Sequence, residues 1–294
     1  MFRGRGTLPA RASYQDSESP GESCPWAGER IMRRFAIGIF LLGLASALAA
    51  RADDWSKTFP ITGTPELRVE TSDANINVET WDQKTIEARV TTEGYKIGDG
   101  GIQIFPHQTG DSVELEVRFP HSIVNFGFNH HRVDIQIHMP REGRVALHTG
   151  DGSIQLTRLK GEMDVETGDG HQQIDSVDGT LHARSGDGHI RAAGRFDGLE
   201  ITAGDGSVEA QAQSGSTMNA PWTLHAGDGS VTLQLPAKFA ADVDLHTGDG
   251  HITLDLPISV EGRLRENNIR GKLNGGGGLL TINTGDGSIQ IEKF

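Results

Sequence analysis

The chain has 294 residues, with 40 acidic against 27 basic side chains and a formal net charge of −13. A nucleic-acid-binding chain typically carries a basic surplus, and a disulfide-stabilised scaffold needs paired cysteines. This chain is acidic and holds a single cysteine, so its composition excludes both classes. The 39 glycines are about twice the share of an ordinary globular chain.

The first 52 residues are organised like a leader sequence. Met32 is followed by two arginines, an apolar run over residues 35–48 and small residues up to Ala52, which is typical of a secretory signal peptide. We therefore predict a signal peptide at 32–52 and interpret residues 1–31 as a non-native or disordered extension. The alternative is an internal signal anchor, although the apolar run is short for a membrane span.

Removal of this leader predicts an exported chain in the periplasm, at the cell surface or outside the cell, with no stable transmembrane span. Seven of the basic and four of the acidic residues lie in 1–52, which leaves 20 basic against 36 acidic residues. Cys24 is removed as well. The mature chain is therefore predicted to be acidic, free of cysteine and stabilised by packing and backbone pairing.

A five-residue unit built on Gly-Asp-Gly occurs seven times along the chain. Its central aspartates are separated by 18, 18, 18, 23, 21 and 37 residues, and they are Asp151, Asp169, Asp187, Asp205, Asp228, Asp249 and Asp286. An interval of 37 is close to two repeats, which predicts a degenerate copy at 265–273. A second degenerate copy is predicted at 71–78, because this segment aligns residue for residue with 149–156.

Apolar residues alternate with polar ones on both sides of each Gly-Asp-Gly, and this period of two indicates half-buried strands. Asp and Gly favour turns because they tolerate positive φ. We predict an all-β, single-domain fold over residues 53–294, with irregular strands at 53–141 and repeats at 142–294. The constant repeat length favours a β-solenoid-like stack of two-strand units of about 18 residues. An antiparallel meander or β-sandwich is the alternative.

These repeats resemble the bacterial DUF4097 family of adhesins, which belongs to the toast-rack group of β-rich repeat folds. The likeness extends from about Leu67 to the C-terminus, and it is carried by residues 77–82, 86–90, 139–140, the seven Gly-Asp-Gly corners, 269–275 and 280–291. The resemblance implies an exported β-repeat protein. It supplies no catalytic residue that transfers to this chain.

The stacked repeats suggest two candidate metal sites. If the corners stack, Asp151, Asp169, Asp187 and Asp205 form a column of carboxylates in which Ca²⁺ is a candidate ligand, because it favours several oxygen donors. His171 and His189 would be neighbours in the same column, and imidazole suits zinc or copper. The alternative for both sets is a solvated scaffold position, since serine replaces histidine in other repeats.

The loop at 121–131 breaks the usual polarity of loops. Phe126 and Phe128 are candidate contact residues for a partner or a membrane surface. The alternative is that this segment folds back as a cap over the end of the sheet, because repeat folds must cover their exposed edges.

No familiar catalytic motif occurs in the sequence, and carboxylates that recur seven times indicate scaffold rather than a single active centre. We therefore predict a non-catalytic adhesin or envelope-binding module with an acidic surface, no required cofactor, and an envelope protein or a glycan as its partner. The alternatives are a carbohydrate-active enzyme on a solenoid face and a cation-binding envelope protein.

Overall fold

The structure is a computed structural model that describes residues 53–120, 131–260 and 266–294. The predicted signal peptide and the candidate contact residues Phe126 and Phe128 lie outside the described residues. Strands and turns make up the described part of the chain, which contains no helix. Accordingly, no helix in this part of the chain is long and apolar enough to cross a membrane.

Twenty-one strands alternate with tight corners and short loops. In chain order they are β1 (Asp53–Pro60), β2 (Glu66–Thr71), β3 (Asn75–Trp81), β4 (Thr85–Glu93), β5 (Gln103–Thr109), β6 (Ser112–Arg118), β7 (Arg132–Pro140), β8 (Glu142–Thr149), β9 (Ile154–Thr157), β10 (Lys160–Thr167), β11 (Gln172–Ser185), β12 (Ile190–Ala203), β13 (Val208–Ala212), β14 (Trp222–Ala226), β15 (Val231–Leu235), β16 (Ala241–Thr247), β17 (Ile252–Leu254), β18 (Ile258–Val260), β19 (Asn268–Leu273), β20 (Gly278–Thr284) and β21 (Ile289–Lys293).

The strands form two stacks that meet at the corners. The pre-corner stack contains the strands that lead into a corner, extended at one end by β5 and β6 and at the other by β19 and β18. Its spatial order is β5, β6, β2, β8, β10, β11, β12, β14, β20, β16, β19 and β18. The post-corner stack contains the strands that leave a corner, extended at one end by β1, β4 and β7. Its spatial order is β1, β4, β7, β3, β9, β11, β12, β13, β15, β21 and β17.

Each repeat is one coil of a solenoid-like stack. Val145 pairs with Met163 and Leu147 with Val165, so equivalent positions 18 residues apart lie side by side in parallel strands. The parallel register confirms the predicted solenoid-like fold and rules out an antiparallel meander for the repeats. The 14-residue strands β11 and β12 each belong to both stacks, because each runs from one Gly-Asp-Gly corner to the next, and their pairing shifts register at two points on the way.

The degenerate copy predicted at 71–78 is confirmed as the first coil. Val69 pairs with Leu147, and Ile76 pairs with Ile154, which is the 78-residue offset expected from the sequence alignment. The first coil therefore shares the inward positions of the later coils, and its corner is centred on Asp73.

The degenerate copy predicted at 265–273 is wrong. Strand β19 runs antiparallel to β16 and β18, so it contributes no corner to the column. The final segment of the chain instead inserts between two earlier coils, since β20 pairs with both β14 and β16 and β21 pairs with both β15 and β17. The corners therefore follow one another in the spatial order Asp73, Asp151, Asp169, Asp187, Asp205, Asp228, Asp286 and Asp249.

The inward side chains of both stacks form one hydrophobic core. Aliphatic residues dominate it, and the aromatic rings of Trp222 and Phe196 pack edge to face within it at 6.3 Å between ring centroids. Gln172 occupies an inward position that is apolar in the neighbouring coils, where Ile154 and Ile190 pair with it. It is 1% exposed, and its Nε2 donates to Thr167 Oγ1 at 3.1 Å.

A second corner lies opposite Gly-Asp-Gly in the early coils. Arg158 and Ser176 occupy it with φ of 60° and 58°, and Gly161 and Gly179 follow it with φ of 141° and 136°. Residues with a side chain rarely adopt φ values near 140°, so glycine suits positions 161 and 179. The 18-residue spacing of these residues repeats that of the first corner.

Candidate functional site

The Gly-Asp-Gly corners form one continuous column of backbone hydrogen bonds. The Gly168 amide donates to the Gly150 carbonyl oxygen at 2.7 Å, and the Gly186 amide donates to the Gly168 carbonyl oxygen at 2.7 Å. The aspartate amides add a second ladder, in which Asp169 also donates to the Gly150 oxygen at 3.1 Å. Backbone pairing therefore continues through the turns as well as through the strands.

The corner glycines are required by close stacking. Their φ values lie outside the left-handed region, which contradicts the positive-φ reason expected from the sequence. A Cβ atom on Gly170 would lie less than 3.0 Å from the Gly152 carbonyl oxygen, and one on Gly188 would meet the Gly170 oxygen in the same way. Each coil thus excludes side chains at both glycine positions of the next coil.

The corner aspartates point into solvent. Asp151, Asp169, Asp187 and Asp205 are all exposed, and their carboxylates form no hydrogen bond or ion pair within the described part of the chain. Exposure weakens the repulsion between neighbouring carboxylates, which is of the order of 1 kcal/mol per pair in water. Burial and the charge of Asp151 raise the pKa of Asp73, which stands at the start of the column.

The residue after each corner can accept a hydrogen bond from the next coil. The His189 amide donates to His171 Nδ1 at 3.3 Å, and the Ser207 amide donates to His189 Nδ1 at 3.1 Å. The two imidazole rings stack with their centroids 5.3 Å apart. Ser230 Oγ accepts the Ser288 amide in the same way at 3.2 Å.

The predicted metal ligands lie where the sequence placed them, in one column along the corners. Among the described residues, however, no group of three or more His, Cys, Asp or Glu side chains is arranged to hold a metal ion. His171 and His189 already use Nδ1 within the column, which leaves only Nε2 of each ring for another ligand. The calcium and transition-metal hypotheses stay predictions.

Arg195 anchors the loop that connects β13 to β14. Its guanidinium pairs with Asp178 and, at 2.7 Å, with Asp197, and it donates to the Gly215 carbonyl oxygen at 3.4 Å. Thr217 Oγ1 in the same loop donates to Asp197 at 2.9 Å. The hydrogen bond from Arg195 holds the pKa of Asp197 below its usual range. This cluster fixes the loop at 213–221.

The outer face of the pre-corner stack carries a row of charged side chains. On adjacent strands the row runs through Glu116, Glu70, His148, Glu166 and Arg184. Arg184 forms an ion pair with Glu200 at 3.1 Å, and the Nδ1 atom of His148 lies 3.6 Å from a carboxylate oxygen of Glu166. The charges on this face are therefore largely paired within the protein.

The outer face of the post-corner stack carries a row of amides instead. Gln136, Asn77, Gln155 and Gln173 lie side by side on β7, β3, β9 and β11. They line an open groove of about 890 Å³, whose margins include Arg132. This row was not predicted from the sequence, although the 78-residue and 18-residue offsets already align Asn77, Gln155 and Gln173. Gln136 joins them through the β3–β7 pairing, which no repeat predicts.

The family model for Toastrack DUF4097 matches residues 64–220 and 196–292, which together cover more than half of the chain. The chain belongs to the Toastrack DUF4097 family. This confirms the resemblance drawn from the corner motifs, and the Toastrack fold accounts for the all-β stack of coils. No curated protein shows significant sequence similarity to this Toastrack chain.

The solved structures to which this chain is similar include proteins from Clostridium and Parabacteroides. A structure described as a putative cell adhesion protein from Clostridium sporogenes is 16% identical, covers 83% of this Toastrack chain and 100% of its own, and gives a TM-score of 0.42. A putative adhesin from Parabacteroides distasonis is 10% identical, with coverages of 83% and 98% and a TM-score of 0.43. A putative lipid binding protein from the same species is 13% identical, with coverages of 82% and 97% and a TM-score of 0.36.

Proposed function

We propose that this chain is an exported, non-catalytic binding module of adhesin type that acts in the cell envelope and presents an acidic surface. The observation that carries the proposal is the repetition of its polar groups. Aspartates, histidines and amides recur at strand spacing along flat faces, whereas an active site gathers unlike groups at one point. A repeating face can contact an extended ligand at several equivalent positions.

Charge and sequence organisation support the envelope location. The predicted leader at 32–52 would direct export, and the chain that remains carries 36 acidic against 20 basic residues. An acidic surface opposes binding to nucleic acid and to anionic membranes, and it leaves neutral glycans and basic protein surfaces as partners. Membership of the Toastrack family agrees with this role.

The test combines export, retention and turnover. The full chain is expressed in a bacterial host, the N-terminus of the product is sequenced, and the purified product is incubated with envelope fractions and with a glycan panel. We expect processing near Ala52, retention on the envelope fraction and no release of reducing ends. Unprocessed cytoplasmic protein would contradict export, and release of reducing ends would favour the carbohydrate-active enzyme.

A further inference from the structure

The amide row is a distinct feature of the outer surface. Its four members are Gln136, Asn77, Gln155 and Gln173, on consecutive parallel strands that lie about 4.8 Å apart. Arginines flank the row on both sides, with Arg89 paired to Asp54 at 2.8 Å and Arg191 paired to Glu209 at 3.5 Å. The row is therefore an uncharged strip between two sets of paired charges.

Three of these amides keep hydrogen-bonding capacity for a ligand. In the described part of the chain, the side chains of Gln136 and Gln155 form no hydrogen bond to protein, and both are exposed. Asn77 lies between them, and its Oδ1 is buried without a partner. That oxygen is closed to solvent and to a ligand, whereas the Nδ2 of Asn77 forms no hydrogen bond to the described protein and can donate to a ligand, as the two glutamine amides can.

The groove around the row has a fixed wall. Asn75 Nδ2 and Arg132 Nε both donate to Asp134 Oδ1 at 2.9 Å, and Asn75 Oδ1 accepts the Ser153 amide at 3.1 Å. These bonds hold the side chains of β3, β7 and the Asp151 corner in place beside the amides. A preformed wall lowers the entropy that is lost when a ligand binds.

We propose that this groove binds a neutral polysaccharide whose chain runs along the stack axis, across the amide row. A carboxamide both donates and accepts hydrogen bonds, as does a sugar hydroxyl. The spacing of the amides is comparable to the length of one sugar unit in an extended polysaccharide. This inference rests on the proposed binding function and names its ligand class.

The chemistry of the groove favours this ligand over other classes. The core of a protein interface is typically rich in aromatic and apolar side chains, whereas the exposed side chains of the row are amides. A polyanion would meet the repulsion of an acidic chain and the carboxylates of Glu93 and Asp134 at the groove. Neutral sugars avoid both costs.

The test uses the full chain and neutral oligosaccharides of four to six units, namely cello-, laminari- and galacto-oligosaccharides, with heparin oligosaccharides as the anionic comparison. Binding is measured by isothermal titration calorimetry. We expect at least one neutral series to bind and heparin not to bind. Gln155→Ala and Gln136→Ala should each weaken binding about tenfold, which corresponds to the loss of one or two hydrogen bonds.

Gln290→Ala is the matched control, because Gln290 occupies the same outward row several strands away from the groove and is exposed. It should leave binding unchanged, and circular dichroism should show that all three variants fold like the parent chain. Equal binding by Gln155→Ala and the parent chain would overturn the inference, as would binding of heparin alone or of none of these sugars. Retention on envelope fractions separates the two proposals: a chain that is retained but binds no neutral sugar keeps its proposed function and loses this ligand.

Discussion

The first corner of the stack differs from the seven repeated corners by lacking both of their glycines. Ser72 and Ala74 stand where Gly150 and Gly152 stand in the next coil. A Cβ atom on Gly152 would point at the Ala74 carbonyl oxygen, so each corner points its Cβ positions toward the coil before it. The layer before the first coil is β6 and β7, whose connection contains no Gly-Asp-Gly. Glycine is therefore required by the coil that precedes each corner, and not by the turn itself.

The largest expected effect comes from adding a methyl group within the column. Gly170→Ala should destabilise the fold by about 3 kcal/mol or more, because its Cβ would overlap the Gly152 carbonyl oxygen and the backbone of the stack must shift. The control is Ala74→Gly, which should cost about 1 kcal/mol through backbone entropy and one lost methyl. Urea denaturation followed by circular dichroism measures both values. Equal losses of stability in the two variants would contradict the claim that the preceding coil requires glycine at the corner.

The core also contains one coil that differs from its neighbours, because Gln172 lies inward where the adjacent coils have isoleucine. Gln172→Ile should stabilise the fold by about 1–2 kcal/mol, because the side chain is fully buried, its Oε1 has no partner, and isoleucine fills this position on both sides. Gln173→Ile on the outer face should change stability by less than about 0.5 kcal/mol. Thermal unfolding of the two variants checks the prediction, and a loss of stability in Gln172→Ile would show that the polar contact to Thr167 dominates.

The ion pair between Arg195 and Asp197, which anchors the loop at 213–221, should make folding stability depend on pH in the acidic range. The pKa of Asp197 is lower in the folded state than in the unfolded state. The ionised side chain therefore stabilises the fold at a pH above the ordinary aspartate pKa, and this stabilisation is lost as the pH falls through the pKa of the folded state. Stability of the parent chain should therefore fall by about 1 kcal/mol more than that of Asp197→Asn between pH 6 and pH 2.5. Asp169→Asn is the control, since its exposed carboxylate has no partner among residues 53–120, 131–260 and 266–294. Parallel curves for the parent chain and Asp197→Asn would contradict the anchor.

The smallest expected effect concerns the residue after the corner. His189→Ser should change stability by less than about 0.5 kcal/mol, because serine accepts the same amide hydrogen bond in the Ser230 coil. His189→Leu should cost about 1 kcal/mol, because the Ser207 amide then loses its acceptor. Hydrogen exchange at the Ser207 amide separates the two variants. Equal protection in both would show that the side chain is not its acceptor.

Much of the fold was predictable because stacking copies one coil onto the next. The alternation around each corner identified inward residues such as Val145 and Leu147, and the repeat length indicated a parallel stack. The alignment of 71–78 with 149–156 even supplied the register of the first coil. These features depend on period and spacing, which the sequence displays directly.

The order of the last coils was not predictable from the same pattern. The Asp228, Asp249 and Asp286 corners have equivalent glycines and flanks, so any of them can lie beside another without violating the alternation. The reversal at β19 and the turn at Asn274, Gly275 and Gly276, all with positive φ, bring the final segment back between its predecessors. Only the pairing of strands reveals this insertion.

The candidate site also has one part that the sequence predicts and one part that it does not. The Asp and His columns were predictable from one repeated motif. The amide row needed Gln136, which lies outside the repeats and reaches Asn77 only through the pairing of β7 with β3. Its hydrogen-bonding state, including the unpartnered Oδ1 of Asn77, depends on the neighbouring side chains and has no counterpart in the sequence pattern.

The central claim is that the corners form one column in which the final coil lies between its two predecessors. Paired spin labels test it directly, in a chain with Cys24→Ser and exposed aspartates replaced by labelled cysteines at 228 with 286, or at 228 with 249. One strand spacing of about 4.8 Å separates the first pair and two spacings separate the second. We expect stronger dipolar broadening for 228 with 286. Stronger broadening for 228 with 249 would mean that the coils stack in sequence order.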